Sequence, residues 1–195
     1  MGLGCTSAFF KNPLRRRHLS FPAKERPLTS VASLIILQDE RGRTMNAEKI
    51  ETLARDLRKT PPRSPREKLG GFVIAARMLD KARADLLATN GEYNFFPCGL
   101  GAYFWKFTGL DAMKFKEFVG TGATDEEVDR WIRENATQKD PKAIIKWNNE
   151  MRCVRLCDLT DQVQEYFETY IPQFCHPPSK VKFFFDVYDV EEGVL

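Results

Sequence analysis

The stretch from Pro61 to Tyr93, PPRSPREKLGGFVIAARMLDKARADLLATNGEY, sets the tightest limit on what this chain can fold into. It holds the longest run of apolar residues at helical spacing. At about 100° per residue, Leu69, Phe72, Ala76, Leu79, Leu86 and Leu87 share one face. Ser64-Pro65-Arg66-Glu67 has the form of a capping box with proline at the first helical position. Asn90-Gly91 supplies a stop. These features predict one helix from Pro65 to about Ala88. Gly70 and Gly71 would then be expensive, about 1 kcal/mol each against alanine. Such glycines call for close approach of another helix or a ligand, or for a bend after the first turn.

The rest of the chain from Met45 reads as further helices. Asn46 is a good cap for a helix over 47–59, with Ile50, Leu53 and Leu57 as its stripe, and Thr60-Pro61-Pro62 ends it. Thr89 to Gly99 is an aromatic-rich loop expected to pack back on the helices. Leu100 to Phe107 is a short helix stopped by Gly109. Asp111 caps a helix to about Val119. Thr124 to Glu127 is a second capping box, for a helix to about Asn135. Asp140-Pro141 opens a helix to about Arg152, and Asp158 to Ile171 forms another before Pro172. The tail from Val181 to Val190 has strand propensity, but no partner strand is visible, so a short helix or an extended aromatic tail is expected. The predicted fold is all-α: a single compact multi-helix bundle with short loops, spanning residues 45–195.

Residues 1–44 differ in character. They carry eight Lys/Arg against three Asp/Glu, whereas residues 45–195 carry 22 against 24. The net charge of +3 therefore comes from the front segment. That segment reads as a disordered or upstream leader, with the organised chain starting at Met45. Gly2 with Thr6 matches a myristoylation pattern, and a signal peptide would need an apolar core directly after its basic start. Neither is favoured over the plain leader. The slightly acidic domain has no electrostatic footprint for nucleic acid. No apolar run reaches the ~18 residues of a membrane span. Five cysteines in a chain of ordinary domain size suggest reduced thiols and a cytoplasmic setting.

The blocks PRSPREKLGGFVIAARMLDKARADL, GEYNFFPC, GATDEEVDRWIREN and FDVYDVEEG resemble a family of short bacterial helical proteins catalogued as domain of unknown function 5069. The resemblance covers roughly Ile50 to Gly193. It implies a small soluble bacterial protein and brings no catalytic residues with it.

Several constellations are candidates for function. On the predicted long helix, Arg83 lies about 20° from Phe72, Lys68 about 40° and Asp80 about 80°, so all three sit at or near the apolar face. An Asp80–Arg83 pair, with Glu92 as a possible third member, would orient the bundle. The functional alternative is an anion pocket of Lys68, Arg83 and Arg66 at the helix N-terminus. Arg77 and Lys81 point away from that face and are expected in solvent. Cys98 stands just before a helix start, a position that suits a reactive thiol, though a buried apolar role is simpler. Cys153-x3-Cys157 with Cys175-His176 has unconvincing zinc spacing, and Gly99-x-Gly101 lacks the rest of a dinucleotide fingerprint. No metal or cofactor is expected. Trp131 and Trp147 are read as core.

The leading expectation is a non-catalytic domain that binds a protein partner or a small anionic ligand. Its candidate residues are Arg66, Lys68, Asp80, Arg83, Glu92, Tyr93 and Cys98. The alternative is an enzyme whose site lies between the 65–88 helix and the 89–99 loop. There Lys68 or Arg83 would hold an anionic substrate, and Glu92, Asp80 or Cys98 would do the proton or nucleophile work.

Overall fold

The computed structural model describes residues 37–38 and 44–195. The leader expected over residues 1–44 lies almost wholly outside them. Leu37–Gln38 pairs antiparallel with Thr44–Met45, a ladder of two residues on each side. Everything else regular is helical: α1 (Ala47–Leu53), α2 (Ala75–Leu86), α3 (Gly99–Thr108), α4 (Ala112–Val119), α5 (Asp125–Asn135), α6 (Pro141–Arg152), α7 (Asp161–Phe174) and α8 (Phe184–Glu191). The fold is an all-α bundle; its connections are short except for residues 54–74 between α1 and α2 and residues 87–98 between α2 and α3.

The polar caps form as their local chemistry dictates. Asn46 Oδ1 accepts from the Lys49 amide, Asp111 from Met113 and Lys114, and Asp140 from Lys142 and Ala143. Thr124 and Glu127 complete the reciprocal capping box of α5. The tail is a helix. Asp186 nucleates α8 by accepting from the Lys182 and Phe183 amides, each at 2.9 Å.

Three boundaries move. α1 ends at Leu53 instead of continuing to 59. Asp56 draws the chain into its own turn, accepting from the Arg58 amide at 3.1 Å. α7 starts at Asp161, because Asp158 is engaged by the Arg155 side chain in a preceding 3-10 turn. Pro172 is held inside the last turn of α7 and does not end it.

The largest correction concerns residues 64–74, which are not helical. Ser64 Oγ accepts from the Arg66 amide, so the Ser64–Glu67 box does not form. Leu69 and Phe72 exchange both backbone hydrogen bonds at 3.1 Å around Gly70 (φ +63°) and Gly71 (φ +92°). Two consecutive central residues with positive φ make this a hairpin-type turn that side-chain-bearing residues adopt only at a cost. The Gly70 amide donates to Asp129 Oδ1 at 2.6 Å. Asn148 on α6 closes the turn from the other side, accepting from Val73 N and donating to Gly71 O. α2 begins only after Ile74, which is itself held at φ +72°.

α2 is the hub. Every residue from Ala75 to Ala84 is buried, so the helix has no solvent face. The core around it includes Phe72, Phe104, Phe115, Ile132 and Phe185. Trp147 stacks on Phe107 at 4.5 Å and Trp131 on Phe118 at 5.4 Å, so both tryptophans pack within the bundle. A central helix bound on all sides must place some of its polar residues inside. The expectation that Arg77 and Lys81 are solvated fails for that reason: they are 1% and 6% exposed.

Candidate functional site

α2 carries four buried charged side chains, Arg77, Asp80, Lys81 and Arg83, and they reach four different parts of the molecule. Burying a charge without an opposite one is strongly unfavourable. Each therefore has to be accounted for.

Asp80 does not pair with Arg83. It accepts from the Arg63 guanidinium at 2.7 to 3.0 Å and from the Arg63 amide at 2.8 Å. Arg63 also reaches Asp125 at 2.6 Å. Arg83 binds the other oxygen of Asp125 at 2.6 Å and donates to the Ala123 carbonyl at 2.9 Å. The result is a chain, Asp80–Arg63–Asp125–Arg83, that ties α2 to the segment before the glycine turn and to the start of α5. Burial pushes Asp125 up, but Arg63 and Arg83 outweigh it and hold the carboxyl below its ordinary value.

Arg77 is closed off by the C-terminus of the chain. Its Nη1 donates to Glu192 at 2.8 Å and its Nη2 to the other Glu192 oxygen, a bidentate pair. Nη1 also reaches the Arg63 carbonyl at 3.1 Å. The guanidinium lies 5.0 Å from the Tyr188 ring centroid and 5.6 Å from that of Tyr93. Arg66 is held by the same end of the chain, through Asp186 and through Asp189 at 2.9 Å. The RSPREKLGG and FDVYDVEEG blocks thus meet as opposite halves of one charge network.

Lys81 is different. Among the described residues its ammonium takes part in no ion pair. Its hydrogen-bond partner is the Cys98 sulfur, 3.5 Å away. Its Nζ also lies 5.6 Å from the Tyr93 ring centroid. Burial pushes the Lys81 amine below its ordinary value; the Cys98 sulfur opposes this and Arg77 adds to it. Burial likewise raises the phenols of Tyr93 and Tyr188.

Cys98 is the N-cap residue of α3, and its sulfur accepts from the Gly101 amide at 3.4 Å. It follows a cis Phe96–Pro97 bond and is half-buried. The other described cysteines have different surroundings. Cys153 and Cys157 are exposed. Cys175 is sealed, donates to the Val187 carbonyl, and is pushed up to about 11 by burial. Among the described residues no three His, Cys, Asp or Glu side chains are grouped as a metal would require.

A cleft of about 370 Å³ opens beside this cluster, lined by Pro61, Glu92, Tyr93, Phe174, Glu191 and Glu192. Tyr93 and Glu192 belong to both places: they line the cleft, and they contact Lys81 and Arg77 respectively.

Of the residues singled out in the sequence, Tyr93 and Cys98 therefore meet at one centre around Lys81, and Glu92 lines the adjoining cleft. Lys68 is exposed. Arg66 faces α8, and Arg83 and Asp80 belong to the Asp125 chain. Lys68, Arg66 and Arg83 are not assembled into one pocket. Sequence reasoning missed Lys81, Arg77, Tyr188 and Glu192. The acidic FDVYDVEEG block against the basic residues near the glycine turn was a signal for Arg77 and Glu192; nothing local marked Lys81 or Tyr188.

A family model described as Domain of unknown function (DUF5069) matches residues 59–194. No curated protein matches the chain.

Proposed function

The chain belongs to the DUF5069 family, and we propose that its functional centre is the Lys81–Cys98 pair, with Cys98 as a nucleophilic thiol and Lys81 as the base that takes its proton. One observation carries this reading. A buried lysine has a sulfur, not a carboxylate, as its hydrogen-bond partner. Burial disfavours the charged ammonium of Lys81, and the neutral amine is the form that accepts a proton. The sulfur is half-buried at a helix N-terminus, where a backbone amide already points at it. That combination suits attack on a small electrophile, such as an activated carbonyl, with Tyr93 beside the reacting groups. Arg77 stays fixed on Glu192 and acts as scaffold. Under this reading the chemistry lies between α2 and the loop that follows it, with Cys98 as the nucleophile and Lys81, rather than Glu92 or Asp80, as the group that takes the proton.

Site-resolved alkylation of the reduced protein with iodoacetamide tests the proposal. Cys153 and Cys157 are exposed references in the same chain. Cys98 should react faster than either despite its partial burial, and Lys81→Met should slow it by roughly tenfold or more. A Cys98 slower than both references, and indifferent to Lys81→Met, would remove the thiol from consideration.

A non-catalytic reading has its own support. Lys81 is the one cation of α2 not matched by a carboxylate, so it can hold a small anionic ligand with no thiol step. Phe96, 53% exposed in the loop that delivers Cys98, suits contact with a protein partner. Under this reading Cys98→Ser keeps ligand or partner binding intact.

A further inference from the structure

The same pair has a second chemistry, which concerns control of the site and rests on the reading just given. We propose that Lys81 and Cys98 form a covalent nitrogen–sulfur link when the protein meets a peroxide, and that this link is a reversible off-state of the thiol.

The geometry supplies both reactants in contact. Lys81 Nζ lies 3.5 Å from Cys98 Sγ. The hydrogen bonds of the Cys98 sulfur among the described residues are to Lys81 and Gly101, and they include no second thiol. A sulfenic acid formed here has the lysine amine as its neighbour, where many redox cysteines have a resolving cysteine. Condensation of a sulfenic acid with nitrogen is established chemistry for backbone amides. An amine held against the sulfur is a better nucleophile than an amide. Burial of Lys81 favours its neutral, nucleophilic form. Cys98 is half-buried, so a molecule as small as hydrogen peroxide can reach it.

The steps balance. The Cys98 sulfur attacks one peroxide oxygen. The S–O bond forms, the O–O bond breaks, and the departing hydroxide takes the thiol proton as water. Sulfur is oxidised by two electrons and the peroxide is reduced. Lys81 Nζ then attacks the sulfenic sulfur. The N–S bond forms and the S–O bond breaks, and hydroxide leaves as water with one amine proton. Overall, thiol, amine and one hydrogen peroxide give the sulfenamide and two waters. An external thiol reverses it. It attacks the sulfur and releases the lysine amine, leaving a mixed disulfide, which a second thiol reduces to free Cys98.

The test uses the full chain carrying Cys5→Ser, Cys153→Ser and Cys157→Ser, which removes the exposed thiols among the described residues and Cys5. The protein is treated with a small molar excess of hydrogen peroxide, enough for the second oxidation that a sulfinic acid requires, and mapped by peptide mass spectrometry. The expected product is a cross-linked species joining the Lys81 and Cys98 peptides, lighter by two hydrogen atoms than the reduced pair. It should vanish with dithiothreitol. Lys81→Arg, which keeps the charge but removes the amine, should abolish the cross-link and drive Cys98 on to the sulfinic acid. Circular dichroism confirms that this variant is folded. Lys81→Gln repeats the test with an uncharged side chain. Cys98 oxidised to sulfinic acid in the parent protein with Lys81 unmodified would overturn the proposal. So would a cross-link that survives in Lys81→Arg. Either result leaves the alkylation experiment on reduced protein unaffected, so failure of the link and failure of the thiol reading are separable.

Discussion

Replacing Gly70 by alanine should destabilise the domain by roughly 2–5 kcal/mol. Two separate costs make up the figure. Gly70 sits at φ +63°, where an L side chain pays roughly 1–2 kcal/mol. A Cβ there would lie 2.4 Å from Ile132 Cγ2 and 2.6 Å from Ile132 Cβ. Ile132 is fully buried on α5, so it cannot swing into solvent, and overpacking of this kind costs roughly 1–3 kcal/mol. Gly71 is the internal control. Its φ of +92° is also unfavourable to a side chain, but a Cβ there would find only Arg133 Nη1, at 3.7 Å. Gly71→Ala should therefore cost roughly the 1–2 kcal/mol of the backbone alone.

Urea unfolding of the two variants reads both numbers. Ile132→Ala should bring the cost of Gly70→Ala part of the way toward that of Gly71→Ala, because it removes the contact with Cγ2 while the contact with Cβ and the backbone strain remain; a coupling of about 0.5–3 kcal/mol is the range for residues in contact. The sign of the effect is the sharpest discriminator. In a helix interior each glycine-to-alanine change stabilises by about 1 kcal/mol. Stabilisation by both variants would refute the turn, and equal costs would refute the contact with Ile132.

Two further outcomes follow from the buried charges. Arg77→Ala leaves Glu192, whose side chain is 3% exposed, without its cation; it should cost about 3–5 kcal/mol in the same urea assay, and a cost below about 1 kcal/mol would show that the pair is not sealed. Lys81→Met should stabilise the domain by about 0.5–2 kcal/mol at neutral pH, since it removes a desolvated amine that no carboxylate pairs. The native Lys81 value is lowered from 10.5, so between that lowered value and 10.5 the unfolded chain binds more protons and the parent protein gains stability as pH rises. The advantage of Lys81→Met should shrink across that window; an advantage independent of pH would mean the amine is not desolvated.

What the sequence makes legible here is local. Asn46, Asp111, Thr124 and Asp140 cap helices through atoms two or three residues away, and the chain can be read at that range. Ser64 to Glu67 has the same pattern and does not form a box, because Gly70 and Gly71 are recruited into a turn by Asp129 and Asn148, both far away in sequence. Periodicity also assumes that a helix has one wet side. α2 has none, so the angles that set Arg77 and Lys81 in solvent were measured from a face that does not exist. Cys98, Tyr93 and Glu92 could be singled out as candidates because a short aromatic loop before a helix start is a local signal. Lys81 was not, because its significance is what it lacks.

That lack gives the centre its meaning. The protein neutralises the other α2 cations with care: Arg77 receives Glu192 from the far end of the chain, and Arg83 receives Asp125 from α5. Carboxylates are also near Lys81, since Glu192 contacts its neighbour Arg77 and Glu92 lines the adjoining cleft. A purely structural design would turn one of them onto the amine, or place a methionine of similar volume in the gap. Instead the amine is held against a thiol, with a helix amide on the other side of the sulfur. A buried lysine left on a sulfur destabilises the fold, and folds tolerate such a cost mainly at functional sites. Lys81→Met thus separates two explanations that the geometry alone leaves joined: a variant that is more stable and no slower in thiol alkylation makes Lys81 an accident of packing, whereas one that is more stable and slower makes it the working residue.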